Sequence, residues 1–156
     1  MVVGATGHQD IPTAALAAIR GGIEKALGRV AKPLEGVSSL AEGADQLFAE
    51  LVLREGGRLR AVIPSPRYEE TFTADGLHRY RALLEAAADV ETLDYPAPSE
   101  EAYLAAGKRV VDLSDRLIAV WDGQAARGLG GTADIVTYAH QTRKAVEVIW
   151  PEGVHR

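Results

Sequence analysis

Short apolar runs rich in β-branched residues alternate along the chain with longer segments of helical period, the pattern of βαβ units around a parallel sheet. Met1-Val2-Val3 predicts a brief first strand that runs into Gly4-Ala5-Thr6-Gly7-His8-Gln9-Asp10. Asp10 then reads as a helix N-cap, with Pro12 in the first turn, where its missing N–H costs nothing. Leu16, Ile19, Ile23, Leu27 and Val30 follow at steps of 3 and 4, one face of that helix. Gly21-Gly22 in its middle cost about 1 kcal/mol each relative to alanine and read either as close packing or as a break. Strands at Leu34–Leu40 and Leu59–Ile63 flank a helix through Leu47, Phe48, Leu51 and Val52, which Gly56-Gly57 stops. Pro64-Ser65-Pro66 ends the third strand, and the polar stretch to Asp75 lacks a period, so a long loop is expected there. Helices at Leu77–Ala88, Glu100–Leu113 and Thr132–Arg143, with strands at Val90–Leu93, Arg116–Trp121 and Ala145–Trp150, complete the pattern. The expected fold class is α/β: a single Rossmann-like three-layer domain over residues 1–156, with a mostly parallel sheet flanked by helices on both faces.

Composition narrows the function. A chain of 156 residues that is 47% hydrophobic and 25% charged is neither disordered, nor collagen-like, nor a coiled-coil rod. Its 17 basic and 22 acidic residues leave a net charge of −5, which argues against nucleic acid as a partner. The absence of cysteine excludes disulfides, thiolate metal sites and cysteine nucleophiles. His78, His140 and His155 have no ligand-like spacing, so no metal is expected, and no cofactor. No apolar run approaches the roughly 18 residues of a membrane span, and the early Gly4 leaves no room for a signal-peptide core; a cytoplasmic protein is expected.

Three strand-to-helix junctions carry unusual residues, and in a parallel sheet all such junctions lie on the carboxyl-terminal edge, where ligands bind. At the first, Gly4, Thr6 and Gly7 are small enough for a ligand to approach the backbone before a helix N-terminus that favours anions. His8 there reads as a phosphate contact or an acid–base group, against an exposed histidine or a local cap. At the second junction, Glu42 precedes Gly43 where acids bind ribose hydroxyls or act in proton transfer; Glu42 and Asp45 also fit as first-turn residues that complement the helix dipole. At the third, Asp122-Gly123 closes a buried strand, and Gly128, Gly130, Gly131 and Thr132 suit a nest of N–H groups around a phosphate. Arg127 adds a charge-assisted contact, and Asp134 either faces the cleft or caps the helix. Tyr68, Tyr80, Arg67, Arg79 and Arg81 read as a solvated face in and after the long loop rather than as a cover over a nucleotide, and Phe48, Trp121 and Trp150 as core.

Gly4-Ala5-Thr6-Gly7-His8, Leu40-Ala41-Glu42-Gly43-Ala44-Asp45 and Trp121-Asp122-Gly123 with Gly128-Leu129-Gly130-Gly131-Thr132-Ala133-Asp134 together resemble the SLOG superfamily, Rossmann-like domains related to DprA and the Lonely Guy proteins. The resemblance spans Val2 to Pro151. It implies a domain that senses or processes a nucleotide or a nucleotide-derived small molecule, and it extends to a homodimer as a partner. The implied alternative is a nucleoside 5′-monophosphate phosphoribohydrolase, which cleaves the N-glycosidic bond, with Glu42 or Asp134 stabilising charge on the ribose or activating water. Laid on the Lonely Guy pattern P-G-G-x-G-T-x-x-E, Gly128, Gly131 and Thr132 match, while the second glycine falls on Leu129 and the catalytic glutamate on Ile135. Asp134 is one residue early, about 100° around the helix. A second alternative is an interaction protein with a vestigial cleft. In the leading reading Gly4, Thr6, Gly7, Gly130, Gly131 and Thr132 hold phosphate, and Glu42 and Asp122 orient sugar or base.

Overall fold

The computed structural model describes residues 1–125 and 131–156. Among them strands and helices alternate as β1 (Val2–Gly7), α1 (Thr13–Gly28), β2 (Glu35–Ser38), α2 (Ala44–Arg54), β3 (Arg58–Ile63), α3 (Ala74–Ala86), β4 (Asp89–Thr92), α4 (Glu100–Leu113), β5 (Arg116–Val120), α5 (Thr132–Gln141) and β6 (Ala145–Ile149). The strands form one sheet in the order β4-β3-β2-β1-β5-β6, and every neighbouring pair is parallel. The α/β, three-layer architecture expected from the sequence is therefore present, with a sheet that is parallel throughout.

Alternation along the strands sorts the two faces. Val3 and Ala5 of β1 and Ile118 and Val120 of β5 pack with Ile19, Ile23 and Leu27 of α1 and with Phe48 and Leu51 of α2. Leu117 of β5, one residue out of phase, packs on the opposite face with Val110 and Val111 of α4 and Ile135 and Ala139 of α5. A third cluster joins Leu59, Ala61 and Ile63 of β3 to Ala49 of α2 and to Tyr80 and Leu83 of α3. Helices α1, α2 and α3 thus cover one face, and α4 and α5 the other. No helix among the described residues is long and apolar enough to cross a membrane.

Several local expectations are corrected. Strand β1 does not stop at Val3 but continues to Gly7, because Gly4 and Gly7 are packing residues rather than loop residues. A Cβ at Gly4 would lie 2.2 Å from Ser114 Oγ and 2.8 Å from Val110 Cγ1, so only glycine lets α4 settle on β1. The N-cap of α1 is Pro12, whose carbonyl accepts the Ala15 N–H at 2.9 Å, and Asp10 lies outside the helix. Leu16 is 43% exposed, and Ala15 and Ala26 complete the buried face in its place. The stretch after Pro66 holds a 3-10 turn at Tyr68–Thr71, and α3 begins at Ala74, where the Thr73 side chain accepts the Gly76 N–H. Tyr68 and Tyr80 are buried, not solvated.

Helix α1 runs unbroken through Gly21-Gly22. A Cβ on Gly22 would come within 2.8 Å of Ile149 Cγ2 on β6, whereas one on Gly21 meets nothing within 4 Å. Gly21→Ala should therefore raise stability by about 0.5–1 kcal/mol through helix propensity alone. Gly22→Ala should forfeit that gain, because Ile149 has to move. Urea denaturation of both variants checks this, and equal gains would show that Gly22 does not hold α1 against β6.

Candidate functional site

Strands β1 to β4 step outward in one direction, and α4 then carries the chain back to β5 on the other side of β1. The order reverses between β1 and β5, which opens a crevice beyond their carboxyl ends. Gly7 pairs with Val120 there, and the His8 N–H donates to the Val120 carbonyl at 3.2 Å. A cavity of about 650 Å³ occupies the crevice. That size lies within the range of small-molecule sites, roughly 300–1,000 Å³.

One end of the cavity is polar. His8 is buried, and its Nε2 accepts the Asp122 N–H at 3.1 Å and lies 3.2 Å from Asp122 Oδ1. Its Nδ1 lies 3.5 Å from Thr132 Oγ1. The Trp150 ring stands edge-on to the imidazole at 5.5 Å and 87°. Burial works to raise the Asp122 carboxyl, but the Gln124 amide, the Arg156 guanidinium (2.8 Å from Oδ2) and His8 outweigh it and hold the group below its ordinary value. Gly131 and Thr132, at the start of α5, complete this end of the wall with Gly7 and Gln9. Helix α5 has no side-chain N-cap, and neither have α1 and α2, whereas α3 and α4 are capped by Thr73 and Ser99. The α5 N-terminus, whose Gly131 and Thr132 line this end, thus leaves it its amide dipole.

The other end is aromatic and holds a buried carboxyl. Tyr68, Phe72 and Tyr103 line it, with Tyr68 perpendicular to Phe72 at 4.9 Å and 6.1 Å from Tyr103. Asp45, in the first turn of α2, is on the same wall and only 8% exposed. Burial pushes its carboxyl up to about 7, against a smaller lowering by a hydrogen bond from the Ala41 backbone. Among the described residues its Oδ1 has no hydrogen-bond partner. Leading into α2, the chain passes through left-handed conformations at Leu40 (φ 59°) and Gly43 (φ 85°). Gln46 Nε2 holds this bend by donating to the Leu40 carbonyl at 3.2 Å and the Gly76 carbonyl at 3.0 Å, and Ser38 Oγ accepts the Leu40 N–H at 3.1 Å.

No family model matches the chain, and no curated protein does. Solved structures do. DNA processing protein A (DprA) from Streptococcus pneumoniae superposes with a TM-score of 0.67 at 18% identity, over 94% of this chain and 49% of that one. DprA from Helicobacter pylori, whose structure describes a single-stranded DNA binding mode, gives 0.69 at 18% identity over 95% of this chain and 64% of that one. The molybdenum cofactor carrier protein from Chlamydomonas reinhardtii gives 0.55 at 16% identity, over 94% and 74%. The fold is shared with these proteins. The chain spans about half the length of the first DprA and under two thirds of the second, and identities this low bear on the fold alone.

Onto this frame the residues singled out in the sequence fall unevenly. Thr6, Gly7, His8, Gly131 and Thr132 meet around one end of the cavity, although β1 and α5 lie far apart in sequence. Asp122 joins them through His8, and Gly123 follows in the left-handed region (φ 84°) at the exit of β5. Gly4 is buried beneath α4 and does not line the cavity. Glu42 turns to the neighbouring helix instead: it accepts the Thr73 hydroxyl and, at 3.4 Å, the Thr73 N–H, bracing the start of α3. Gly43 is the joint between the first two junctions, with Ala44 N–H donating to the His8 carbonyl at 3.1 Å. Asp134 is in the first turn of α5 but is not in the cavity wall, where Ala133 and Ile135 stand. Arg127, Gly128 and Gly130 lie outside the described residues. Sequence reasoning assigned no binding role to Asp45, Tyr68, Phe72 or Tyr103. The one signal for Asp45 was its helical spacing from Phe48, Ala49 and Val52, which placed it on a buried face.

Proposed function

We propose that the protein binds a nucleotide or nucleotide-derived small molecule in the crevice between β1 and β5, with the phosphate at the Gly7, His8, Gly131 and Thr132 end. The observation that supports this most is the two-ended cavity: the uncapped N-terminus of α5 beside Gly7 and His8 on one side and an aromatic wall on the other. Backbone amides at a helix N-terminus attract an anion, and aromatic faces suit a planar base. His8, oriented by Asp122 and Thr132, adds a polar contact that is fixed before the ligand arrives.

Binding is preferred to glycosidic hydrolysis because neither Glu42 nor Asp134, the carboxylates nominated for that chemistry, is in the cavity wall. Calorimetry against ribose 5-phosphate, nucleoside mono- and diphosphates, cyclic nucleotides and ADP-ribose should find a ligand. Gly131→Trp should abolish its binding by filling the phosphate end; unchanged affinity in that variant would sink the site. A short single-stranded oligonucleotide belongs in the same series, since DprA from Helicobacter pylori binds that polymer. Tighter binding of the oligonucleotide than of any mononucleotide would replace the small-molecule reading.

A further inference from the structure

Asp45 is a buried polar group of the cavity that phosphate binding does not use. A carboxyl that is buried with an unpaired oxygen carries a desolvation cost that proteins rarely leave uncompensated. Of the described side chains lining the cavity, Arg156 is the one permanent cation, and it is bound to Asp122 at the opposite end. The neighbours of Asp45 on the wall, Ser39, Ala41, Pro64 and Tyr68, bring no cation to it. The nearby Tyr68 hydroxyl is held well above its usual value, by burial first and by the Asp45 carboxylate next. The Ala41 backbone N–H serves the carboxyl, Oδ1 is left without a partner among the described residues, and beside it stands an aromatic wall. Strand β2, which leads to Asp45, is two strand spacings from β5, about 10 Å, the reach of an extended nucleoside monophosphate.

We infer that Asp45 reads the base: its carboxyl accepts an N–H from the exocyclic amino group of an aminated nucleobase lying against Tyr68, Phe72 and Tyr103. This rests on the phosphate reading above and deepens it by naming the class of base. The test is calorimetry on pairs of 5′-monophosphates in which one amino group is removed (guanosine against inosine) or replaced by an oxo group (adenosine against inosine, cytidine against uridine). In at least one pair the aminated member should bind about tenfold or more tightly, the scale of a hydrogen bond to a charged group. Asp45→Leu, which has similar bulk and no acceptor, should bring that member down to the affinity of its partner. Equal affinities within all three pairs in the unmodified protein, or a preference that survives in Asp45→Leu, overturns the inference. Ribose 5-phosphate separates the two failures. If it binds while no pair discriminates, the phosphate site stands without a base reader; if neither it nor any nucleotide binds, both are overturned.

Discussion

Gly43→Ala is expected to lower the melting temperature by roughly 10 °C or more, the scale of a loss of over 3 kcal/mol in a chain of this size. The backbone at Gly43 has φ 85° and ψ −125°, a conformation that side-chain-bearing residues rarely adopt. Space is missing as well: a Cβ would lie 2.3 Å from the Gln9 carbonyl oxygen and 2.6 Å from that of His8. Both obstacles are backbone, so no side-chain rotation relieves them. The same two segments are stitched by the Ala44 N–H donating to the His8 carbonyl, which is the link between the loop after β1 and the start of α2. Forcing them apart breaks that bond and moves His8 relative to Asp45, so ligand binding should fall together with stability. Differential scanning calorimetry of the variant decides it. A loss under about 1 kcal/mol would mean that the joint yields easily and does not fix the two ends of the cavity.

How far the sequence shows this arrangement depends on how local the cause is. Helix α4 was read with the ends it has, because Ser99 caps it through the Ala102 N–H and the apolar period is uninterrupted to Leu113. Strand β5 was plain because it is buried on both faces, as its run of Leu117 to Val120 demands. The alternation of strand and helix was enough to place three junctions on one edge. Strand β1 was cut short because its glycines imitate a loop, and what makes them strand residues is distant: Ser114 and Val110 over Gly4, Ala44 and Val120 against Gly7. Glu42 was read as facing a ligand because its actual partner, Thr73, is 31 positions away. Asp45 was passed over for the converse reason. An acid in a first helical turn ordinarily needs only the helix dipole to account for it, and the cavity wall it shares is built from residues as distant as Tyr68 and Tyr103. The functional end of the molecule is thus legible where it is made of backbone turns and illegible where it is made of side chains gathered from several elements.

The Asp45 carboxyl also sets a pH dependence that can be measured without knowing any ligand. Its value is raised by burial from an ordinary 3.8 to about 7 in the folded protein. Between those values the folded state binds a proton that the unfolded state has released, so stability falls as the pH rises through that window. Below about pH 4 both states are protonated and the penalty vanishes; above about pH 7 it is complete and amounts to on the order of 4 kcal/mol. The lowered carboxyls work in the opposite sense. Arg109, hydrogen-bonded to Glu91, and the partners of Asp122 give stability that is present above the ordinary carboxylate range and lost in acid, so the protein's own pH profile mixes the two trends. Comparison with Asp45→Asn removes that mixture, because the other groups are common to both proteins. The asparagine is close in shape and cannot ionise, so the variant should match the original protein near pH 4 and exceed it by a few kcal/mol at pH 8. Urea denaturation at the two pH values reads the difference directly. If the gap between the proteins is the same at both, the Asp45 carboxyl titrates as an exposed acid, and the unpaired buried oxygen on which the base-reading role depends is not there.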